Sequence, residues 1–156
     1  MWLPRAGQVG EEARDDVAAP MRGNGQRVLV VDDEEPLMRL MSERLGELGY
    51  VATGFTSSTA ALAAFRAAPE QFDAMITDER MPGLAGHALI REVRKLRRAI
   101  PILLASGYLG GTVVESAYNA GADEVLKKPL SANDLAASLA RLLERAAARE
   151  SEMAQG

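Results

Sequence analysis

The sequence predicts an α/β protein built on an open parallel sheet. Short aliphatic runs alternate five times with longer segments in which apolar residues recur every three or four positions. This alternation favours parallel strands joined by right-handed crossover helices. In addition, four of the five runs are followed by acidic, hydroxyl or lysine side chains. Ligands bind at the carboxyl ends of strands in such sheets, so we expect one functional site at that edge.

The five predicted strands are short and largely aliphatic. Val28–Val31 is apolar throughout, which is typical of a strand buried on both faces of the sheet. The other four are Tyr50–Thr53, Ala74–Thr77, Ile102–Ala105 and a short strand centred on Val125 and Leu126.

Each predicted helix has a start or stop signal. Pro36 suits the first turn of the first helix, and Gly49 ends that helix. Ser57 or Ser58 can cap the second helix, which Pro69 stops. The remaining helices are predicted around Leu89–Leu96, over about Thr112–Asn119, and after a capping box at Ser131–Asp134.

Length and composition restrict the function classes. The 156 residues suit one domain, which we place at 27–147, between disordered tails at 1–26 and 148–156. The absence of cysteine excludes disulfides and thiolate metal sites and suits a cytoplasmic protein. The net charge of −4 argues against direct nucleic-acid binding. No apolar stretch approaches the ~18 residues that a membrane span needs, so no membrane insertion is expected.

Five side chains are predicted to meet at the carboxyl edge of the sheet. Asp32, Asp33 and Asp78 carry carboxylates, the ligands that Mg²⁺ prefers. An ionised Asp78 can attack phosphorus and form an aspartyl phosphate. The Lys128 ammonium can neutralise the developing charge, and the Ser106 hydroxyl can donate a hydrogen bond to a phosphoryl oxygen. This chemistry indicates phosphoryl handling.

The same residues, taken in order, resemble the receiver domain of two-component response regulators. The resemblance covers about residues 27–146 and implies a flavodoxin-like (βα)5 fold with strand order 2-1-3-4-5. Residues 105–108 and Val125 are similar to receivers attached to hybrid histidine kinases. The motifs that carry the resemblance are Asp32-Asp33, Asp78 followed by Met81-Pro82-Gly83 and Gly86, Ser106, Ala120-Gly121-Ala122 and Lys128-Pro129.

The resemblance implies a role for each acid. Asp78 would be the phosphoacceptor, and Asp32 and Asp33 the acidic pair that holds Mg²⁺ together with Asp78. The backbone carbonyl of Arg80 would be a further metal ligand. Phosphate would come from a histidine kinase, a histidine phosphotransfer protein or a small phosphodonor, and the domain would signal through protein contacts. It would not act as an enzyme.

The resemblance also implies roles at the ends of the last two strands. Ser106 would be the switch hydroxyl and Lys128 the phosphate-sensing lysine, with Pro129 in the cis form. Val125 departs from the pattern, because the family usually has an aromatic residue three positions before the lysine. A stiff valine cannot make the inward swing of that aromatic, so we expect a muted relay to the surface. Arg80 stands at a variable position, where a cation could recruit a donor or shield the acyl phosphate.

Two rival functions fit the sequence less well. A Mg²⁺-dependent aspartyl-phosphate phosphatase of the haloacid-dehalogenase type would resemble an Asp-x-Asp motif after the first strand, whereas this chain has Asp32-Asp33 there. A dinucleotide-binding module would need a Gly-x-Gly-x-x-Gly motif after that strand, which is absent.

Two further features are interpreted as ordinary, and a third concerns the oligomeric state. The single histidine, His87, is expected to be a solvated helix residue rather than a phosphohistidine. The basic residues in 91–98 are expected to form a solvated helix face. The long last helix allows homodimer contacts through Leu142 and Leu143.

Overall fold

The computed structural model describes residues 23–155, with side chains described through Arg149. A five-stranded sheet runs through these residues in the order β2-β1-β3-β4-β5, and every neighbouring pair is parallel. The predicted fold and strand order are therefore confirmed. The strands are β1 (Arg27–Val31), β2 (Val51–Phe55), β3 (Ala74–Asp78), β4 (Ile102–Ser106) and β5 (Glu124–Lys127).

Within the described residues, five α-helices connect and cover the strands. Ser57 caps the second helix by accepting a hydrogen bond from the Ala60 amide. Gly49 and Gly121 follow the first and fourth helices with φ of 97° and 121°, a conformation that favours glycine. The helices are α1 (Glu35–Glu47), α2 (Ser58–Ala67), α3 (Gly86–Leu96), α4 (Val113–Ala120) and α5 (Ala132–Gln155), with a 3-10 turn at Pro69–Gln71.

Each face of the sheet has its own apolar core. Leu29 and Val31 of β1 point into the core formed with α2, α3 and α4. Val28 and Val30, which alternate with them, point into the core formed with α1 and α5. All four side chains are at most 1% exposed. This two-sided burial is the reason that the strand is apolar at every position.

The C-terminal boundary differs from the prediction of a tail at 148–156. Helix α5 continues through Gln155, because residues 146–155 contain neither glycine nor proline and are rich in strong helix formers. The predicted N-terminal tail lies, up to residue 22, outside the described residues. Leu142 is buried and Leu143 is partly buried against the same core as α1, so both side chains contribute to the fold. Homodimer contacts through this part of α5 stay a prediction.

Two local features bring the polar strand ends together. The register pairs Asp78 with Ala105 and Ser106 with Lys127, which aligns the ends of β3, β4 and β5. The Lys128–Pro129 peptide bond is cis, as the resemblance implied. Within residues 23–155, no helix is both long enough and apolar enough to cross a bilayer.

Candidate metal and phosphoryl site

Three carboxylates converge at the carboxyl edge of the sheet. Asp32, Asp33 and Asp78 each offer an oxygen atom, and these atoms lie within 4.8 Å of one another. Asp32 and Asp78 are buried, whereas Asp33 is exposed. The Glu34 amide donates to Asp32 Oδ1 at 3.0 Å and fixes that carboxylate. An all-oxygen donor set of this kind fits a hard cation such as Mg²⁺.

Lys128 connects two of these acids. Its Nζ lies 2.7 Å from Asp32 Oδ2 and 3.1 Å from Asp78 Oδ1. Burial alone would lower the pKa of the Lys128 ammonium, but the hydrogen bond to Asp32 and the charge of Asp78 raise that pKa above its usual range. The lysine is therefore held as a cation beside Asp78.

Asp78 titrates differently from an exposed aspartate. Burial raises the pKa of the Asp78 carboxyl above its usual range, and the negative charge of Asp32 adds to this effect. The Lys128 ammonium acts in the opposite direction without cancelling the rise. A bound cation would favour the ionised form, which is the nucleophilic one.

The raised pKa of Asp78 predicts that metal-free protein loses stability as pH rises. The folded state binds the Asp78 proton more tightly than the unfolded state does. As pH rises from the ordinary aspartate pKa through the raised pKa of the folded state, the contribution of Asp78 to the free energy of unfolding therefore decreases. Asp78→Asn removes this titration. Urea unfolding in EDTA from about pH 4 to pH 8 should show the stability of wild type falling relative to Asp78→Asn. A pH-independent difference between the two proteins would contradict the prediction.

The loop after β4 forms two hydrogen bonds with the Ser106 hydroxyl. Ser106 Oγ donates to the Tyr108 carbonyl at 3.0 Å and accepts from the Tyr108 amide at 3.3 Å. The Arg80 guanidinium lies 5.4 Å from the centre of the Tyr108 ring, within the range of a cation–π contact. Residues that follow β3 and β4 thus meet above the acid cluster.

A single cavity of about 730 Å³ contains this site. One end is lined by the acids, Lys128, Arg80 and Ser106, so all six predicted site residues border the same space. The other end is apolar and lies between α1 and the start of α5. Its apolar lining includes Leu37, Leu40, Met41, Leu130 and Leu135.

One pair beside the site was not predicted. His87 Nδ1 lies 2.7 Å from Glu79 Oε2, and the His87 amide donates to Glu79 Oε1 at 2.9 Å. His87 is a partly exposed helix residue, as expected, but its ring also contacts the mostly buried Glu79 carboxylate, which the sequence did not indicate. Residues eight positions apart across a loop leave no periodic signal in a sequence.

The basic residues in 91–98 do not form a uniform solvated face. Arg94 donates to the carbonyls of Gly121 and Ile100 and pairs with Asp123 at 2.9 Å. Arg97 donates to the carbonyls of Pro69 and Phe72. These two guanidiniums hold turns together at the amino-terminal edge of the sheet, which leaves fewer free cations for a nucleic acid.

Curated relatives are similar to this chain over most of its length. The two-component response regulator PhoP of Pseudomonas aeruginosa is 34% identical over 119 residues, which are 76% of this chain and 52% of the relative. The virulence sensor protein BvgS of Bordetella pertussis is 34% identical over 128 residues, which are 78% of this chain and 10% of the relative. The chain thus spans about half of one relative and a tenth of the other.

Solved structures agree with the sequence relatives. A receiver domain protein from Clostridium thermocellum superimposes with a TM-score of 0.71 at 30% identity, covering 77% of this chain and 95% of that one. The chemotaxis protein CheY4 of Vibrio cholerae also gives 0.71, at 28% identity and 76% and 98% coverage. The phosphatase alternative receives no support from these matches. Residues 28–140 match the family described as the response regulator receiver domain, and this chain belongs to that family.

Proposed function

We propose that Asp78 accepts a phosphoryl group from a phosphohistidine of a kinase or phosphotransfer protein, with Mg²⁺ bound at the acid cluster. The observation that carries this proposal is the convergence of Asp32, Asp33 and Asp78 within 4.8 Å, with Lys128 Nζ 3.1 Å from Asp78. Asp32, Asp33, Asp78 and the Arg80 carbonyl would hold the ion, which would supply positive charge to the phosphoryl oxygens.

The chemistry assigned to the chain is a single displacement at phosphorus. An Asp78 carboxylate oxygen forms the new O–P bond while the N–P bond to the donor imidazole breaks, and the imidazole leaves as a neutral ring after taking up a proton. Lys128 stabilises the negative charge that the phosphoryl oxygens carry during transfer. Its position between Asp32 and Asp78 places the ammonium there before the donor arrives.

Ser106 would respond after transfer. Its hydroxyl proton is donated to the Tyr108 carbonyl in this structure, so donation to a phosphoryl oxygen requires that this one hydrogen bond break, whereas Oγ can still accept from the Tyr108 amide. The energy of the new charge-assisted bond would offset that loss, because hydrogen bonds to charged groups are the stronger kind. Reorientation of the Ser106 hydroxyl away from the Tyr108 carbonyl is therefore the first conformational consequence that we assign to phosphorylation.

The experiment that tests the proposed function compares two kinds of phosphodonor. With Mg²⁺ and acetyl phosphate, we expect one phosphoryl group per chain, labile to base as an acyl phosphate is. With a phosphomonoester such as p-nitrophenyl phosphate, we expect no steady turnover. Continuous release of phosphate from the monoester, without a stable adduct on the protein, would replace the receiver proposal with a hydrolase.

Arg80→Ala is predicted to change the lifetime of the phosphorylated state. The guanidinium lies over the Tyr108 ring at the mouth of the site, where it can restrict the approach of water to the acyl phosphate. Loss of the side chain should shorten the lifetime by about threefold, equivalent to the ~0.7 kcal/mol expected of an exposed cation–π contact. Decay of phosphorylated protein followed by intact mass gives the rate. Tyr108→Leu is the matched control, because it removes the same contact and leaves the cation.

Val125 is predicted to limit the response at the surface formed by α4, β5 and α5. Its side chain is partly buried and packs against the core under α3 and α4, where it is too short to exchange between two positions. Amide shifts measured with and without beryllofluoride should change strongly at residues 78–86 and 106–112 but weakly over 113–145. Val125→Tyr is expected to enlarge the second set. A large response of that surface in wild type would contradict the prediction.

We assign signalling to protein contacts, with the kinase, the output partner and a cytoplasmic location as parts of the proposal. The similarity to a segment of a sensor protein supports a receiver attached to a hybrid kinase, and the similarity to response regulators supports a separate regulator. The receiver chemistry proposed for Asp78 is the same in both contexts.

A further inference from the structure

Glu79 directly follows the proposed phosphoacceptor and is bound through both of its carboxylate oxygens. Oε1 accepts the His87 backbone amide at 2.9 Å, and Oε2 lies 2.7 Å from His87 Nδ1. The Glu79 side chain is 13% exposed, so these bonds are partly shielded from water. A carboxylate only accepts, hence Nδ1 carries the proton whether the ring is neutral or charged.

The start of α3 depends on this glutamate. Ala85, the residue at the cap position, provides no side-chain hydrogen bond. The Gly86 amide donates to the Glu79 carbonyl at 2.9 Å, and the His87 amide donates to the Glu79 side chain. Two of the free amides at the helix start are thus satisfied by one residue. The first turn of α3 is tied to the end of β3.

The hydrogen bonds from the Gly86 and His87 amides to Glu79 close residues 80–85 into a loop. Its two ends, Glu79 and Gly86, are joined by a backbone hydrogen bond and packed so closely that a Cβ at Gly86 would lie 2.1 Å from the Asp78 carbonyl oxygen. The first residue in that loop is Arg80, whose carbonyl is the proposed metal ligand and whose side chain borders the site. The position of this carbonyl is therefore set by the two joined ends.

We propose that Glu79 and His87 are positioning residues for the metal site, which fix the loop that presents the Arg80 carbonyl. This inference rests on the proposed function, since it concerns the same ion. Partners outside the ligand set orient the ligands of metal sites and raise metal affinity. An ordinary helix cap would stabilise the fold without any effect on metal affinity.

Two substitutions of Glu79 distinguish a residue that positions a metal ligand from an ordinary helix cap. Glu79→Leu and Glu79→Gln both remove the same negative charge beside the metal, but only glutamine keeps an oxygen that can accept the His87 amide. In Mg²⁺ titrations followed by calorimetry, we expect Glu79→Leu to bind about tenfold more weakly than Glu79→Gln, the lower end of the range for outer-shell partners. Equal affinities in the two variants, both folded by circular dichroism, would overturn the proposal.

The single histidine provides a spectroscopic readout that does not involve the metal. In ¹⁵N-labelled protein without a histidine tag, Nδ1 of wild type should appear protonated. In Glu79→Gln at about pH 8, where an unperturbed imidazole is neutral, the glutamine NH₂ faces Nδ1 and the proton should move to Nε2. An unprotonated Nδ1 in wild type would show that the Glu79–His87 side-chain hydrogen bond does not form, and this result would hold even if Glu79→Leu failed to fold.

Asp33→Asn distinguishes failure of this inference from failure of the proposed function. If Asp33→Asn weakens the Mg²⁺ binding that wild type shows, the acid cluster holds the ion, and the comparison at Glu79 tests positioning alone. If wild type binds no Mg²⁺, the proposed metal site itself fails. His87→Ala, which keeps the backbone amide and removes only the ring bond, should give a loss of affinity between those of Glu79→Gln and Glu79→Leu. Wild-type affinity in His87→Ala would remove the histidine from the proposal.

Discussion

Asp78→Asn is expected to abolish phosphorylation by acetyl phosphate. The neutral amide lacks the anionic oxygen that attacks phosphorus, and it also removes one negative charge from the cluster. Asparagine is nearly the same size, so the β3 end, which is mostly buried, should keep its packing. Intact mass spectrometry should show a gain of one phosphoryl group in wild type and none in the variant.

Asp33→Asn is the matched control for this result. It removes an exposed carboxylate of the same cluster but leaves the nucleophile and its contact with Lys128 in place. We expect slow phosphorylation that recovers in part at high Mg²⁺ concentration, because the variant weakens metal binding and not the attacking group. A phosphoryl gain in Asp78→Asn at the wild-type rate would show that another residue is the acceptor.

Gly86→Ala is expected to destabilise the fold by about 3 kcal/mol, the upper part of the range for forcing extra atoms into a packed site. An added Cβ would lie 2.1 Å from the Asp78 carbonyl oxygen and 2.9 Å from Glu79 Cα. Both neighbours are backbone atoms, which cannot rotate away as a side chain can. Either the helix start or the end of β3 must shift. Urea unfolding measures the loss, and phosphorylation should slow because Asp78 lies in the displaced segment.

Gly46→Ala tests whether the Gly86 effect arises from crowding. Gly46 lies in α1, is exposed, and has no atom within 4 Å of an added Cβ. Alanine is the better helix former there, so this variant should gain about 0.5–1 kcal/mol in free energy of unfolding. A loss in both variants would mean that glycine is needed for reasons other than the contact with Asp78.

The fold and the site could be predicted from the sequence because each rests on a simple periodic rule. Val28–Val31 is apolar at every position, a pattern typical of a strand covered on both faces, and the strand is indeed buried on both faces. Parallel strands end at one edge, so acids that follow β1 and β3 had to approach Lys128, which follows β5. The sequence positions of these polar residues at strand ends therefore predicted that their side chains lie close together.

Contacts between residues on opposite sides of a loop could not be predicted from these sequence patterns. Glu79 and His87 are eight residues apart, and Arg94 and Asp123 are 29 apart, so neither pair belongs to a helical or strand period. The end of α5 was placed too early because charged, alanine-rich segments suit both a solvated helix and a tail. Helix propensity decides here, because residues 147–149 are helical although they are exposed.

The single lysine in the acid cluster sets the charge of the pocket before and after phosphoryl transfer. With the three carboxylates ionised, Lys128 leaves a net charge of two negatives, which one Mg²⁺ would cancel. Transfer replaces the Asp78 charge by a phosphoryl group of about −2, so the filled pocket gains roughly one negative charge. With Mg²⁺ bound, the three acids, Lys128 and the ion thus sum to no net charge before transfer, and after transfer the same groups carry about one net negative charge beside Arg80.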